Sequence, residues 1–157
     1  MLPNRPRFAV DEMLGTLARW LRIMGYDATY EKDHDDDEII KAAIPQGRIV
    51  LTRDRELAAR MGEMGLNIHS DRLEEQLRQV WQAFGLKPDQ DLARCTVCNG
   101  ELEPMEAEKA KDKVPEGVFL MNQEFFQCQS CGKVYWRGTH WLNIKKRLAL
   151  LDPGQSL

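Results

Sequence analysis

Cysteine occurs four times in this chain, as Cys95-x-x-Cys98 and Cys128-x-x-Cys131, with 29 residues between the pairs. A Cys-x-x-Cys turn offers two thiolates to one ion, and two such turns supply the four sulfurs of a closed tetrahedral zinc site. Val97 and Asn99-Gly100 in the first turn, and Gln129-Ser130 and Gly132 in the second, allow a backbone to curl around a metal. With every position filled by protein, such a zinc is structural. Metal binding of ~10–16 kcal/mol apparent would carry most of the folding free energy of so small a ribbon. Two disulfides in a secreted domain are the competing reading. Met1-Leu2-Pro3-Asn4-Arg5 has no apolar run behind it to act as a signal peptide, which favours zinc and a cytoplasmic setting.

The second set of chemically capable residues is acidic. Asp11 directly follows a short apolar run, Asp54 follows a longer one in Leu51-Thr52-Arg53-Asp54, and Asp36 enters a helix signal from the acidic run at residues 33–38. Asp71 stands after a fourth strand signal as a further member. Two carboxylates about 4 Å apart near a protein surface repel by roughly 4 kcal/mol at an effective dielectric of 20. A cluster of them therefore stays protonated or holds a cation, and hard oxygen ligands favour Mg²⁺ or Mn²⁺. Such a site would hydrolyse phosphodiesters by activating water and neutralising phosphate charge. The plain alternatives are a helix cap at Asp36 or Asp71 and a solvated face for the acidic run.

These residues need elements to position them, and the front of the chain alternates strand and helix signals. Arg7 to Val10 reads as a buried strand, and Leu14, Leu17, Ala18, Leu21 and Met24 give a helix over 12–24 stopped by Gly25. Asp27 to Tyr30 is a second strand, Asp36 to Ile44 a short helix, and Arg48 to Thr52 a continuous β-branched strand suited to a parallel sheet. Leu57 to Met64 reads as helix and Leu66 to His69 as strand. A long helix follows with Leu73, Leu77, Val80, Trp81 and Phe84 on one face, closed by Gly85. The expected fold is α/β, an open parallel sheet sandwiched by helices and followed by a small zinc ribbon. The expected boundaries are an α/β domain over 1–85, a linker over 86–93, the ribbon over 94–141, and a basic terminal helix and tail over 142–157. In open sheets of this kind the site lies outside the carboxyl ends of the strands, where Asp11 and Asp54 stand. No stretch approaches the roughly 18 apolar residues of a membrane span.

The net charge is −3 and uneven. Residues 1–93 carry 13 basic and 17 acidic side chains, whereas residues 125–151 hold Lys133, Arg137, Lys145, Lys146 and Arg147 and no acid. Residues 133–147 interleave these cations with Tyr135, Trp136 and Trp141, a pattern in which rings stack on unpaired bases and cations follow the backbone. One of Trp136 and Trp141 is expected to pack the ribbon instead. Arg19 and Arg53 flank the acidic residues, with Arg53 the better placed for a phosphate. His34 and His69 read as ordinary surface or capping histidines.

Phe8-Ala9-Val10-Asp11, Asp36-x-x-Ile39-x-x-Ala42-Ala43 and Ile49-Val50-Leu51-Thr52-Arg53-Asp54 resemble the pattern of PIN-domain ribonucleases, with Thr52 16 residues beyond Asp36. Asp11-Glu12-Met13-Leu14-Gly15, Leu17-Ala18-Arg19-Trp20-Leu21-Arg22, Gly25-Tyr26-Asp27 and the ribbon's Tyr135-Trp136-Arg137-Gly138-Thr139-His140-Trp141 look more closely like the Mut-seven C-terminal RNase family, a shortened PIN domain joined to a zinc ribbon. The resemblance spans roughly residues 7–141. It implies a divalent metal at Asp11, Asp36 and Asp54, with Asp37 and Glu38 as neighbours. The pattern usually holds a further Glu between the first two acids. That region is short here, neither Glu12 nor Glu31 offers a ready substitute, and Asp71 or Asp37 is left to make up the count.

The expectation is a Mg²⁺- or Mn²⁺-dependent ribonuclease acting on single-stranded RNA in processing or decay, with Lys133, Trp136, Arg137, Trp141, Lys145, Lys146 and Arg147 guiding the strand. A catalytically weak or inactive RNA- or ribosome-binding protein is the first rival, and a phosphohydrolase of small phosphate esters the second.

Overall fold

The computed structural model describes residues 5–152. The ends of the expected first and last segments, residues 1–4 and 153–157, lie outside it, as do the side chains of Gln90 and His140. The chain divides into two compact units, Met1–Asn99 and Gly100–Leu157.

In the first unit, strands β1 (Arg7–Asp11), β2 (Ala28–Glu31), β3 (Arg48–Thr52) and β4 (Gly65–Asn67) form an all-parallel sheet in the order β2-β1-β3-β4. Every residue of β3 is buried, as a continuous apolar run in a strand covered on both faces requires. Helices α1 (Gly15–Ile23), α2 (Asp36–Ala43), α3 (Arg55–Met61) and α4 (Leu73–Phe84) supply the cover. Alternation along the strands divides the core. Phe8 turns to one face and meets Tyr26 and Phe84 edge-on, both centroids 5.8 Å away. Ala9 and Val50 turn to the other and cluster with Ile39 and Ala43 of α2 and Leu57 of α3. By the same parity Asp11 and Thr52 face the side on which α2 and α3 begin.

Several elements differ from the sequence expectation at their ends. The helix expected from Glu12 starts as a single 3₁₀ turn, Glu12–Leu14, and becomes α-helical at Gly15. The helix expected from Leu57 starts at Arg55, because Asp54 caps it, and ends in a 3₁₀ turn at Gly62–Met64. β4 begins at Gly65, earlier than Leu66. A Cβ there would lie 2.5 Å from the Ala58 carbonyl oxygen, so only glycine lets the chain enter the sheet at this point. The segment expected as a linker bonds back into the first unit: Leu86 is buried and the Asp89 amide donates to the Met24 carbonyl, and Arg94, the first residue of the expected ribbon, likewise donates its amide to the Arg22 carbonyl.

In the second unit, β5 (Leu102–Met105), β6 (Phe125–Cys128) and β7 (Val134–Trp136) pair antiparallel in the order β5-β6-β7. Two short helices, α5 (Ala107–Ala110) and α6 (Glu116–Met121), lie between β5 and β6 in sequence. The terminal helix α7 (Thr139–Leu151) starts three residues before the expected boundary at 142 and buries Ile144 and Leu151.

Candidate functional site

The carboxyl ends of the four parallel strands present one row of polar side chains on the face toward α2 and α3. The β1–β2 register pairs Asp11 with Glu31, the β3–β4 register pairs Thr52 with Asn67, and the Thr52 hydroxyl donates to Asp11 Oδ2 at 2.8 Å. The Glu12 amide donates to Asp11 Oδ1 at 2.8 Å. An acid ending a buried strand thus receives a donor on each oxygen, as its desolvation demands. Thr52, itself fully buried, accepts in turn from the Asp54 amide at 2.9 Å. Asp54 Oδ1 accepts from the Glu56 and Leu57 amides at 2.9 and 3.3 Å as the N-cap of α3. A single hydroxyl therefore ties two of the three expected aspartates together.

Asp36 opens α2 without capping it. The cap is Asp35, which accepts from the Glu38 amide at 2.8 Å while Glu38 accepts from the Asp35 amide at 3.3 Å, a complete capping box. The capping role considered for Asp36 thus falls to its neighbour. Burial, then the charges of Asp54 and Asp11, raise the Asp36 carboxyl above its ordinary value, against the lowering pull of Arg60. The three aspartates thus share one field, and they line a single open cleft of about 480 Å³ with Glu12, Met13, His34 and Arg53. A donor set of hard oxygens under mutual repulsion fits a divalent cation.

The further acids are placed elsewhere. Asp37 pairs with Arg60 on the surface, and that hydrogen bond lowers its carboxyl. Glu38 is committed to the capping box, and Asp71 is exposed and caps nothing: α4 starts after Arg72, whose amide donates to Ser70 Oγ. None of the three lines the cleft. Among the RNA-contact residues expected in this unit, Arg53 lines it and Arg19 is exposed on α1 without doing so. Arg22 is buried, donating to the Ala28 carbonyl through Nε and to the Thr96 carbonyl through Nη1, both at 2.8 Å.

Sequence reasoning missed His34 in this cleft and the Glu31 that holds it. Glu31 is 7 % exposed and accepts from Thr29 Oγ1 and from His34 Nδ1, both at 2.8 Å. The hydrogen bond to Glu31 raises the His34 imidazole above its ordinary value, against its own slight burial. The signal available beforehand was the i,i+3 spacing Glu31-x-x-His34 immediately after a strand end.

The four thiols of Cys95, Cys98, Cys128 and Cys131 all lie within 4.8 Å of one another and could hold a zinc ion. Among the described residues no other set of ligand atoms gathers so tightly, the three aspartates included. The two turns repeat one geometry. The Asn99 amide donates to the Cys95 carbonyl at 2.9 Å with Asn99 at φ +69°, and the Gly132 amide to the Cys128 carbonyl at 3.0 Å with Gly132 at φ +82°. Asn99, rather than Gly100, therefore makes the left-handed turn. Gly100 is needed for room, since a Cβ there would lie 2.7 Å from Cys128 Sγ. The amides of Ser130 and Cys131 both approach Cys128 Sγ at 3.4 Å, as donors to a thiolate do.

The remaining basic and aromatic residues lie in the second unit. Lys133 Nζ is 5.1 Å from the Tyr135 ring centroid, and Arg137 Cζ is 4.8 Å from that of Phe126 and 6.0 Å from that of Trp141. Trp136 is 37 % exposed and Trp141 half-buried, so neither is fully core. Lys145, Lys146 and Arg147 are exposed on α7.

A family model described as Mut7-C RNAse domain matches residues 6–148. No curated protein and no solved structure matches the chain. No helix among the described residues is long and apolar enough to cross a membrane.

Proposed function

The chain belongs to the Mut7-C RNase family, and on that premise we propose that its first unit hydrolyses phosphodiester bonds of single-stranded RNA with the help of a divalent metal. One observation carries the reading: Asp11, Asp36 and Asp54, with Arg53 beside them, line one cleft at the carboxyl ends of parallel strands. Three carboxylates there would repel an RNA phosphate unless a cation stood between them, because like charges near a surface cost roughly 4 kcal/mol per pair at 4 Å. A bound Mg²⁺ or Mn²⁺ supplies that neutralisation and makes water a stronger acid.

The chain's own residues divide the remaining work. Asp11, Asp36 and Asp54 would hold the ion. Thr52 and the Glu12 amide fix the orientation of Asp11, and the cap of α3 fixes Asp54, so little reorganisation accompanies ligation. Arg53, exposed on the rim, would meet a phosphate oxygen. His34, steadied by Glu31, stands in the same wall. No nucleophilic side chain is required.

The test is cleavage of a single-stranded RNA with Mn²⁺ or Mg²⁺. Asp11→Asn and Asp54→Asn should each slow it by at least about 100-fold, the scale of losing one preorganised electrostatic contact. Cleavage that survives both substitutions overturns the reading. A binding protein without catalysis is the second reading, favoured by the carboxylate oxygens lying farther apart than the thiols. RNA that is bound and left intact by the wild type decides for it.

A further inference from the structure

The ribbon sheet has two faces, and pleating assigns each side chain to one of them. Met105, Phe125 and Trp136 are cross-strand partners in one row, and Pro104, Phe126 and Tyr135 in the next. The two rows therefore face opposite sides. Phe125 is 2 % exposed and stacks on Phe119 of α6 with centroids 6.3 Å apart. On the same side the Trp136 indole lies against Gly138, where a Cβ would come within 3.4 Å of its Cδ1. Phe125 fills the ribbon's core on that side, and Trp136, 37 % exposed, lies at its edge.

The other side keeps Phe126 and Tyr135 half-exposed and places a cation over each ring, Arg137 on Phe126 and Lys133 on Tyr135. We infer that this face, and not Trp136, is the docking platform for the RNA strand, with Tyr135 and Phe126 stacking unpaired bases and Lys133 and Arg137 taking the adjoining phosphates. The inference rests on the RNA-directed reading above and specifies where the strand is held.

Three features select a single strand as the occupant. Cross-strand neighbours stand roughly 5 Å apart, close enough for both rings to serve one short stretch of strand. Ring and cation side by side match the alternation of base and phosphate, and each cation can leave its ring for a phosphate without moving the backbone. A duplex, by contrast, hides the base faces that the rings would use. Glu124, an acid at this face, is exposed and meets Arg137 at 3.7 Å, a contact that an RNA phosphate readily replaces.

The test measures binding of a fluorescein-labelled single-stranded oligoribonucleotide by anisotropy. It uses the full-length, zinc-loaded chain carrying Asp11→Asn so that the probe stays intact. Tyr135→Ala should weaken binding about 5- to 100-fold, the range for losing one stacked base, while Tyr135→Phe restores it. Trp136→Ala, with unchanged zinc content, should stay within about twofold, since its ring makes no stack. Lys133→Ala, an exposed position that threatens no fold, should reduce the salt slope by about 0.7. Wild-type binding in both Tyr135→Ala and Lys133→Ala overturns the platform, as does a loss in Trp136→Ala equal to that in Tyr135→Ala. Cleavage by the chain without Asp11→Asn is read separately. Intact binding without cleavage removes the catalytic reading and leaves the platform. Cleavage with indifferent ribbon variants does the reverse. No binding at all overturns both.

Discussion

Thr52 shows how much a single hydroxyl can organise. It is fully buried, donates to Asp11 and accepts from the Asp54 amide, so two carboxylates from separate strand ends are aligned by one side chain. Asp36 is different, because its surroundings penalise its charge instead of supporting it. A carboxyl whose folded value is raised above the ordinary ~3.9 makes the folded state less stable as pH climbs from that value through the raised one. Asp36→Asn should therefore raise the melting temperature at neutral pH in Mg²⁺- and Mn²⁺-free buffer, abolish most of that pH dependence, and still cost activity. A melting temperature that falls on this substitution would show that Asp36 serves the fold and not the site. Asp27 has the opposite character. Burial pushes its carboxyl up, but hydrogen bonds from Arg48 and Asn99 and the charges of Arg48 and Arg94 outweigh burial and hold it below its ordinary value. Its contribution is present above the ordinary aspartate range and is lost on acidification.

At the scale of elements, the site depends on where two helices begin. Asp54 caps α3, and Asp35 caps α2 one residue before the aspartate that faces the cleft. Losing an Asp cap costs about 0.5–2 kcal/mol, and here it would also fray the turn that aims Asp36. Asp35→Ala should lower stability by about that amount in urea unfolding and reduce RNA cleavage, whereas the capping-competent Asp35→Ser should retain both. Equal activity in Asp35→Ala and wild type would show that the first turn of α2 holds its shape without the box. The strands and helices were legible in the sequence because apolar period and glycine stops are local. Their ends were less so: the 3₁₀ turn at Glu12–Leu14 and the early start of α3 at Arg55 follow from caps and tertiary contacts that periodicity does not record. The choice of Asp35 over Asp36 as cap is of the same kind, since three adjacent acids carry equal propensity.

At the scale of the molecule, the four thiols come from turns that are far apart in sequence, and the first turn is hydrogen-bonded within its own unit. Asn99 accepts from the Ala28 amide at 3.0 Å and donates to Asp27 Oδ1 at 2.6 Å, and the Asp27 carboxylate is also held by Arg48 at 2.8 Å. Chelating the metal should make all four cysteines reactive together, although only Cys98 and Cys131 are exposed. It should also open residues 100–137 to protease while the first unit, with its own apolar core, resists. Thiol titration and peptide mapping check this; unchanged proteolysis after full zinc release would mean that the ribbon folds without its ion. By itself, the sequence determined the parallel α/β order, the two cysteine pairs and the family, because each is written in residue type and spacing, while Asp36 was singled out among its acidic neighbours only through the family resemblance. Only the tertiary structure decided that Glu31 stands beside Asp11 with His34 upon it, that Asp37, Glu38 and Asp71 turn elsewhere, and that Tyr135 and Trp136 lie on opposite faces of the ribbon sheet. These depend on strand register and pleat parity, and a shift of one residue in either would send every side chain to the other face.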